Sequence, residues 1–89
     1  MITLSLLVTN KSGLHARPAA LFVQAAKGFK SKVTVNKDSK QADGKSLLSL
    51  MTLGATKGTQ VTIAVDGEDE SAAAAAIEAL FADRFGEQG

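Results

Sequence analysis

Apolar and polar residues alternate at the start of the chain: Ile2, Leu4, Leu6 and Val8 are apolar, with Thr3 and Ser5 between the first three. A period of two is that of a strand with one buried face, so this segment reads as β. The period then changes. Between Ala16 and Lys27 the apolar residues Ala19, Phe22, Val23 and Ala26 fall three and four apart, which predicts a helix, with Gly28 as its stop. Val33 and Val35 alternate with Lys32, Thr34 and Asn36 as a second strand. A polar turn over Lys37–Ser39 leads to a weaker strand near Lys40–Ala42. Ser46 reads as the N-cap of a short helix carrying Leu47, Leu50 and Met51 on one side, closed by Gly54 and Gly58. Val61, Ile63 and Val65 alternate as a fourth strand that ends at Gly67. A last helix follows, with a predicted core stripe of Ala73, Ile77, Leu80, Phe81 and the stem of Arg84, stopping near Gly86.

The predicted order is β-α-β-β-α-β-α. Two crossover units in so short a chain predict an α+β open-faced two-layer sandwich, a four-stranded antiparallel sheet with three helices on one face. No linker or repeat interrupts the pattern, and residues 1–89 read as a single domain.

Composition narrows the chemistry. The chain has one His, no Cys, no Trp and no Tyr. Thiolate catalysis, disulfides and Cys-built metal sites are excluded, and a lone His with no suitably spaced carboxylates predicts no metal site. The net charge of +1 and the few aromatics argue against nucleic-acid binding. Charge is unevenly placed, however. Nine of ten basic residues lie in 1–60 with Asp38 and Asp43, while 61–89 holds seven acids and Arg84. This predicts a basic working surface and an acidic last helix, with Glu68, Asp69 and Glu70 as a solvated helix start. The first residues lack the basic flank of a signal peptide, and the alanine run near residues 72–82 is too short to span a bilayer. A cytoplasmic protein without membrane contact is expected.

The segment Ser12-Gly13-Leu14-His15-Ala16-Arg17-Pro18-Ala19-Ala20 joins the first strand to the first helix. Pro18 suits a first helical turn, where its missing N–H is no loss. The amides of Ala16 and Arg17 are left without helical acceptors at the positive end of the helix dipole, a natural place for an anion. Arg17 adds a guanidinium able to grip phosphate oxygens. A neutral imidazole is a nucleophile, and His15 stands among these groups. The alternative is that His15 merely caps the helix of a noncatalytic regulatory or ligand-binding α+β domain. Gly44-Lys45-Ser46 mimics the end of a P-loop, but Ser39 stands where that motif needs its first glycine.

Gly13-Leu14-His15-Ala16-Arg17-Pro18-Ala19 and Lys45-Ser46-Leu47-Leu48-Ser49-Leu50-Met51-Thr52-Leu53-Gly54 together resemble the HPr family. These are the histidine-containing phosphocarriers of the bacterial phosphoenolpyruvate:sugar phosphotransferase system, and the likeness spans the whole chain. The resemblance implies that His15 takes a phosphoryl group on Nδ1 from phosphorylated enzyme I and passes it to sugar-specific IIA domains. Arg17 and the backbone of Ala16 and Arg17 would steady the phosphate. The chain would be a protein substrate and not an enzyme, without a cofactor, acting as a monomer. Ser46 is similar to the serine modified by HPr kinase/phosphorylase, which creates a ligand for a catabolite-control transcription factor. The implied partner surface takes in Ala20, Gln24, Lys27, Lys45, Leu47, Leu48 and Met51. Adjacent Leu47 and Leu48 cannot both face one core, so one of them is expected to be exposed.

Overall fold

The computed structural model describes residues 1–87. The last two positions of the expected domain span lie outside the described residues. Strand β1 (Ile2–Leu7) is followed by α1 (Ala16–Lys27), β2 (Lys32–Lys37), β3 (Lys40–Asp43), α2 (Leu47–Thr52), β4 (Gln60–Asp66) and α3 (Glu70–Ala82), and a 3-10 turn at Arg84–Gly86 is the last element among the described residues. The sheet order is β1-β4-β2-β3, with every neighbouring pair antiparallel. Strand β4 thus sits between β1 and β2, which run parallel to each other through a split β-α-β crossover. The register sets Leu4 against Ile63, Ile63 against Val35, and Val35 against Ala42, so one apolar row crosses all four strands. The expected order and sheet are those observed.

The period-two pattern is visible in the burial. Val33, Val35, Val61, Ile63 and Val65 are buried, while Lys32, Gln60, Thr62 and Asp66 face solvent. The helices cover the apolar face. Helix α1 contributes Ala19, Phe22, Val23 and Ala26, as its spacing predicts. Helix α3 contributes Ala73, Ala74, Ile77 and Phe81. Its alanines let it approach the sheet closely, and bulk comes from rings: Phe22 meets Phe81 edge-on with centroids 6.3 Å apart, and Phe81 meets Phe85 at 5.1 Å.

Two core expectations need correction. Arg84 is exposed, and Phe85 takes the core place expected for its stem. The reason is a backbone reversal: Arg84, Phe85 and Gly86 have φ of 52°, 53° and 76°, a left-handed run that a helical period does not foresee. In α2 only Leu50 is fully buried, with Met51 packed beside it; Leu47 is 42% and Leu48 74% exposed. One turn and a half of helix offers room for a single inward residue.

The acids at the start of α3 are also more than a solvated cap. The Asp69 carboxylate accepts hydrogen bonds from Lys30 N at 2.8 Å, Ser31 N at 2.9 Å and the buried Ser31 hydroxyl. The Ser31 hydroxyl, then the Lys30 amide, hold its carboxyl at about 2, below the ordinary 3.8. Glu70 meets the Met1 ammonium at 3.0 Å, and that contact with the Gly67 amide lowers its pKa. These contacts tie α3 to the entry of β2 and to the chain start.

Candidate functional site

The site grows out of the strap between β1 and α1. Val8, the first residue past β1, exchanges backbone bonds with the loop before β4: its N–H donates to Thr59 O at 2.9 Å, and Gly58 N–H donates to its carbonyl at 2.7 Å. The Leu14 amide then donates to Ala55 O at 2.8 Å, and the Leu14 side chain is buried. Between these anchors Gly13 adopts φ +65° with its α-carbon against the Ala55–Thr56 backbone; a Cβ there would lie 2.8 Å from Thr56 Cα and closer still to Ala55 O. Only glycine fits that approach. The strap is therefore seated on the loop after α2 before the chain turns outward.

His15 follows in an extended conformation, φ −134° and ψ 152°. It holds the N-cap position of α1, yet its imidazole makes no capping hydrogen bond and is exposed. The next residue, Ala16, has φ +48°. A non-glycine residue there costs about 1–2 kcal/mol. Right-handed φ values begin at Arg17, so the turn between imidazole and helix is concentrated at one residue. Arg17 is exposed and Pro18 buried, which fixes the first turn against the core. The first amides of α1 have no acceptor within the helix. The exposed His15 and Arg17 thus flank the start of α1, where the first amides of the helix lie.

A fourth group stands there that the motif does not contain. The left-handed turn at residues 84–86 brings Glu87 back to the strap. Its Oε1 accepts from Asn10 Nδ2 and from Ser12 N, each at 3.0 Å, and its Oε2 accepts from Ser12 Oγ at 2.7 Å. The Ser12 amide, then the Asn10 side chain and Ser12 hydroxyl, hold the Glu87 carboxyl below its usual range, and the Arg17 charge adds to the effect. The expected division into a basic site and an acidic last helix is therefore incomplete. One acid of the C-terminal segment lies beside the site, within the field of Arg17. Neither Asn10 nor Glu87 shows in sequence spacing, since 77 residues separate them.

The other singled-out residues lie along α1 and α2. Lys45 Nζ donates to Phe29 O at 2.8 Å, just past the C-terminal end of α1, whereas Leu14 meets Ala55 beyond the C-terminal end of α2. The two helices therefore run in opposite senses, with Met51 nearer the His15 end and Ser46 nearer the far end. Ala20, Gln24 and Lys27 follow one line along α1, with Lys27 about 18 Å from His15 at 1.5 Å per residue. Lys45 is half-buried, its charge held against the end of α1. Ser46 Oγ accepts from Ser49 N at 3.3 Å, the expected N-cap bond. A shallow groove lined by Lys30, Lys32, Gln41, Asp43 and Lys45 opens at the β2–β3 edge, away from His15. Among the described residues no group of His or acidic side chains could hold a metal ion, and no helix is long and apolar enough to cross a membrane.

An antiparallel open-faced sandwich with a histidine at the start of its first helix defines a class of small phosphoryl carriers, and the comparisons agree. The family model for the PTS HPr component phosphorylation site matches residues 2–83. Phosphocarrier protein HPr of Treponema pallidum is 42% identical over 88 residues, covering 99% of this chain and all of the relative. The HPr of Haemophilus influenzae is 52% identical over 69 residues, 78% of this chain and 81% of the relative. The crystal structure of HPr-C-His from Thermoanaerobacter tengcongensis superposes with a TM-score of 0.97 at 43% identity, with both chains fully covered. The chain belongs to the HPr family, the phosphocarriers of the phosphotransferase system.

Proposed function

We propose that His15 is the carrier residue: it accepts a phosphoryl group on Nδ1 from phosphorylated enzyme I and delivers it to IIA domains of sugar permeases. The observation that supports this best is the exposed imidazole, which holds the N-cap position without capping the helix. That same observation disfavours the helix-cap alternative. The imidazole lone pair attacks phosphorus, an N–P bond forms as the bond to the donor breaks, and its electron pair leaves with the donor. Arg17 and the amides of Ala16 and Arg17 steady the phosphate oxygens. Onward transfer reverses the roles. The high transfer potential of a P–N bond suits brief carriage in the cytoplasm by a single-domain monomer.

Partners dock on the adjacent faces of α1 and α2. Ala20 and Gln24 lie on α1 near His15; Leu47, Leu48 and Met51 add an apolar patch on α2, flanked by Lys27 and Lys45. Exposed Leu48 supports this assignment, because an apolar side chain held in water at 74% exposure gains by burial against a partner. Ser46 is a second phosphorylation site, used by HPr kinase/phosphorylase and read by a catabolite-control transcription factor. Its support is the N-cap position, where added negative charge meets the helix amides.

Incubation with enzyme I and labelled phosphoenolpyruvate tests the reading. Acid-labile, base-stable label on the wild type and none on His15→Ala is expected. Absence of label from both overturns the carrier assignment.

A further inference from the structure

We propose that Glu87 is a positioning residue for phosphoryl transfer: its carboxylate latches the strap of residues 10–13 and so fixes the departure of the chain into His15. The inference rests on the reading of His15 as the phosphoryl carrier. Three donors converge on one carboxylate, from Asn10 Nδ2, Ser12 N and Ser12 Oγ. Hydrogen bonds to a charged acceptor are about twice as strong as neutral ones.

The latch reaches further through Asn10. Its Nδ2 also donates to Gly13 O at 2.8 Å, so both hydrogens of that amide are committed, one to the tail and one to the strap. Two facing acceptors leave no ambiguity about which way the amide points. Its Oδ1 is buried without a partner, a cost accepted to keep the nitrogen in place. Gly13 N–H closes the strap on Asn10 O at 3.2 Å. Glu87, Asn10 and Gly13 thus form one connected chain of contacts that ends two residues before His15.

The tail can hold this position because Phe85 is buried and because φ stays positive from Arg84 through Gly86, which turns the chain back toward the strap. Glu87 also lies within the field of Arg17, and its hydrogen bonds hold tail and strap together before any phosphate arrives. Prearranged geometry is what a transfer step with little covalent chemistry depends on.

The test compares the full-length wild type with Glu87→Gln, Glu87→Asp and Glu87→Ala. Single-turnover phosphorylation by phosphorylated enzyme I gives the maximal rate and the half-saturating concentration, and amide hydrogen exchange is followed at Ser12 and at Ile63. Glu87→Ala is expected to lower the maximal rate about tenfold with the half-saturating concentration within about twofold. Glu87→Asp, one methylene too short to reach the strap, follows Ala. Glu87→Gln keeps an oxygen acceptor and stays within about threefold of wild type. Ser12 exchange accelerates in Glu87→Ala while Ile63, in the core, is unaffected.

An unchanged rate in Glu87→Ala overturns the proposal. So does equal loss in the Ala and Gln variants, or loss of protection at Ile63 in step with Ser12. If the wild type itself takes no phosphate, the carrier reading fails separately. The latch is then decided by exchange alone: faster Ser12 exchange in Glu87→Ala upholds it, and unchanged exchange overturns it.

Discussion

Replacing Gly13 by alanine should be costly for two separable reasons. The first is conformational. Gly13 has φ +65°, and an L-residue there costs about 1–2 kcal/mol. The second is steric, because the new Cβ would stand 2.8 Å from Thr56 Cα and closer to Ala55 O, both backbone atoms that cannot swing aside. Forcing a methyl into such a contact costs about 1–3 kcal/mol. The expected total is about 2–5 kcal/mol. Gly58 supplies the control: its φ is +91°, yet nothing lies within 4 Å of a Cβ built there. Gly58→Ala should therefore show the conformational cost alone, about 1–2 kcal/mol. Urea unfolding followed by circular dichroism measures both, and at about 1 kcal/mol per molar for a small domain the Gly13→Ala midpoint should fall by roughly 2 M or more. Gly13→Ala should also slow His15 phosphorylation under conditions where the variant is folded, since the strap must lift from Ala55. Equal destabilisation by the two substitutions would refute the claim that close approach, and not φ alone, requires glycine at 13.

Asp69 gives a pH signature. Its pKa is lowered to about 2 on folding, so its contribution is fully present above the ordinary 3.8 and is lost as pH falls through the folded value. Wild-type unfolding midpoints should drop between about pH 4 and pH 2, and Asp69→Asn should be less stable at pH 7 and lack that part of the slope; an unaltered slope contradicts the clamp on Ser31. Leu50→Ala should cost about 2–5 kcal/mol by calorimetry, because a fully buried side chain leaves a cavity. Leu48→Ala should change stability by less than about 0.5 kcal/mol while weakening enzyme I docking, read as a higher half-saturating concentration.

The centre of the sheet was legible because β2 and β4 carry an unbroken alternation: Val61, Ile63 and Val65 could face only one way, and burial of that face decides the register. Helix α1 was legible for the same reason at a period of 3.6, down to its stop at Gly28. Its start was legible from Pro18, and with it the placing of His15, Ala16 and Arg17. Helix α2 was misread on one side because six residues contain too few turns for a period to discriminate Leu47 from Leu50. The tail was misread because a left-handed turn at Arg84 and Phe85 obeys no periodicity and is favoured by neither residue type. What lay beyond the sequence altogether was long-range polar contact. Asp69 and Glu87 look like solvated acids in a charged segment, and only the fold brings them to the amides of Ser31 and Ser12.

That His15 carries the phosphoryl group is tested most directly by nitrogen-15 NMR of the imidazole before and after phosphorylation by enzyme I. The chain has a single histidine, so one imidazole spectrum reports without ambiguity. Phosphorylation should shift the Nδ1 resonance and split it by coupling to phosphorus, with Nε2 uncoupled, and the unphosphorylated spectrum should return when a IIA domain is added. Coupling at Nε2, or an unchanged imidazole in a protein that has nonetheless taken up label, would contradict the assignment.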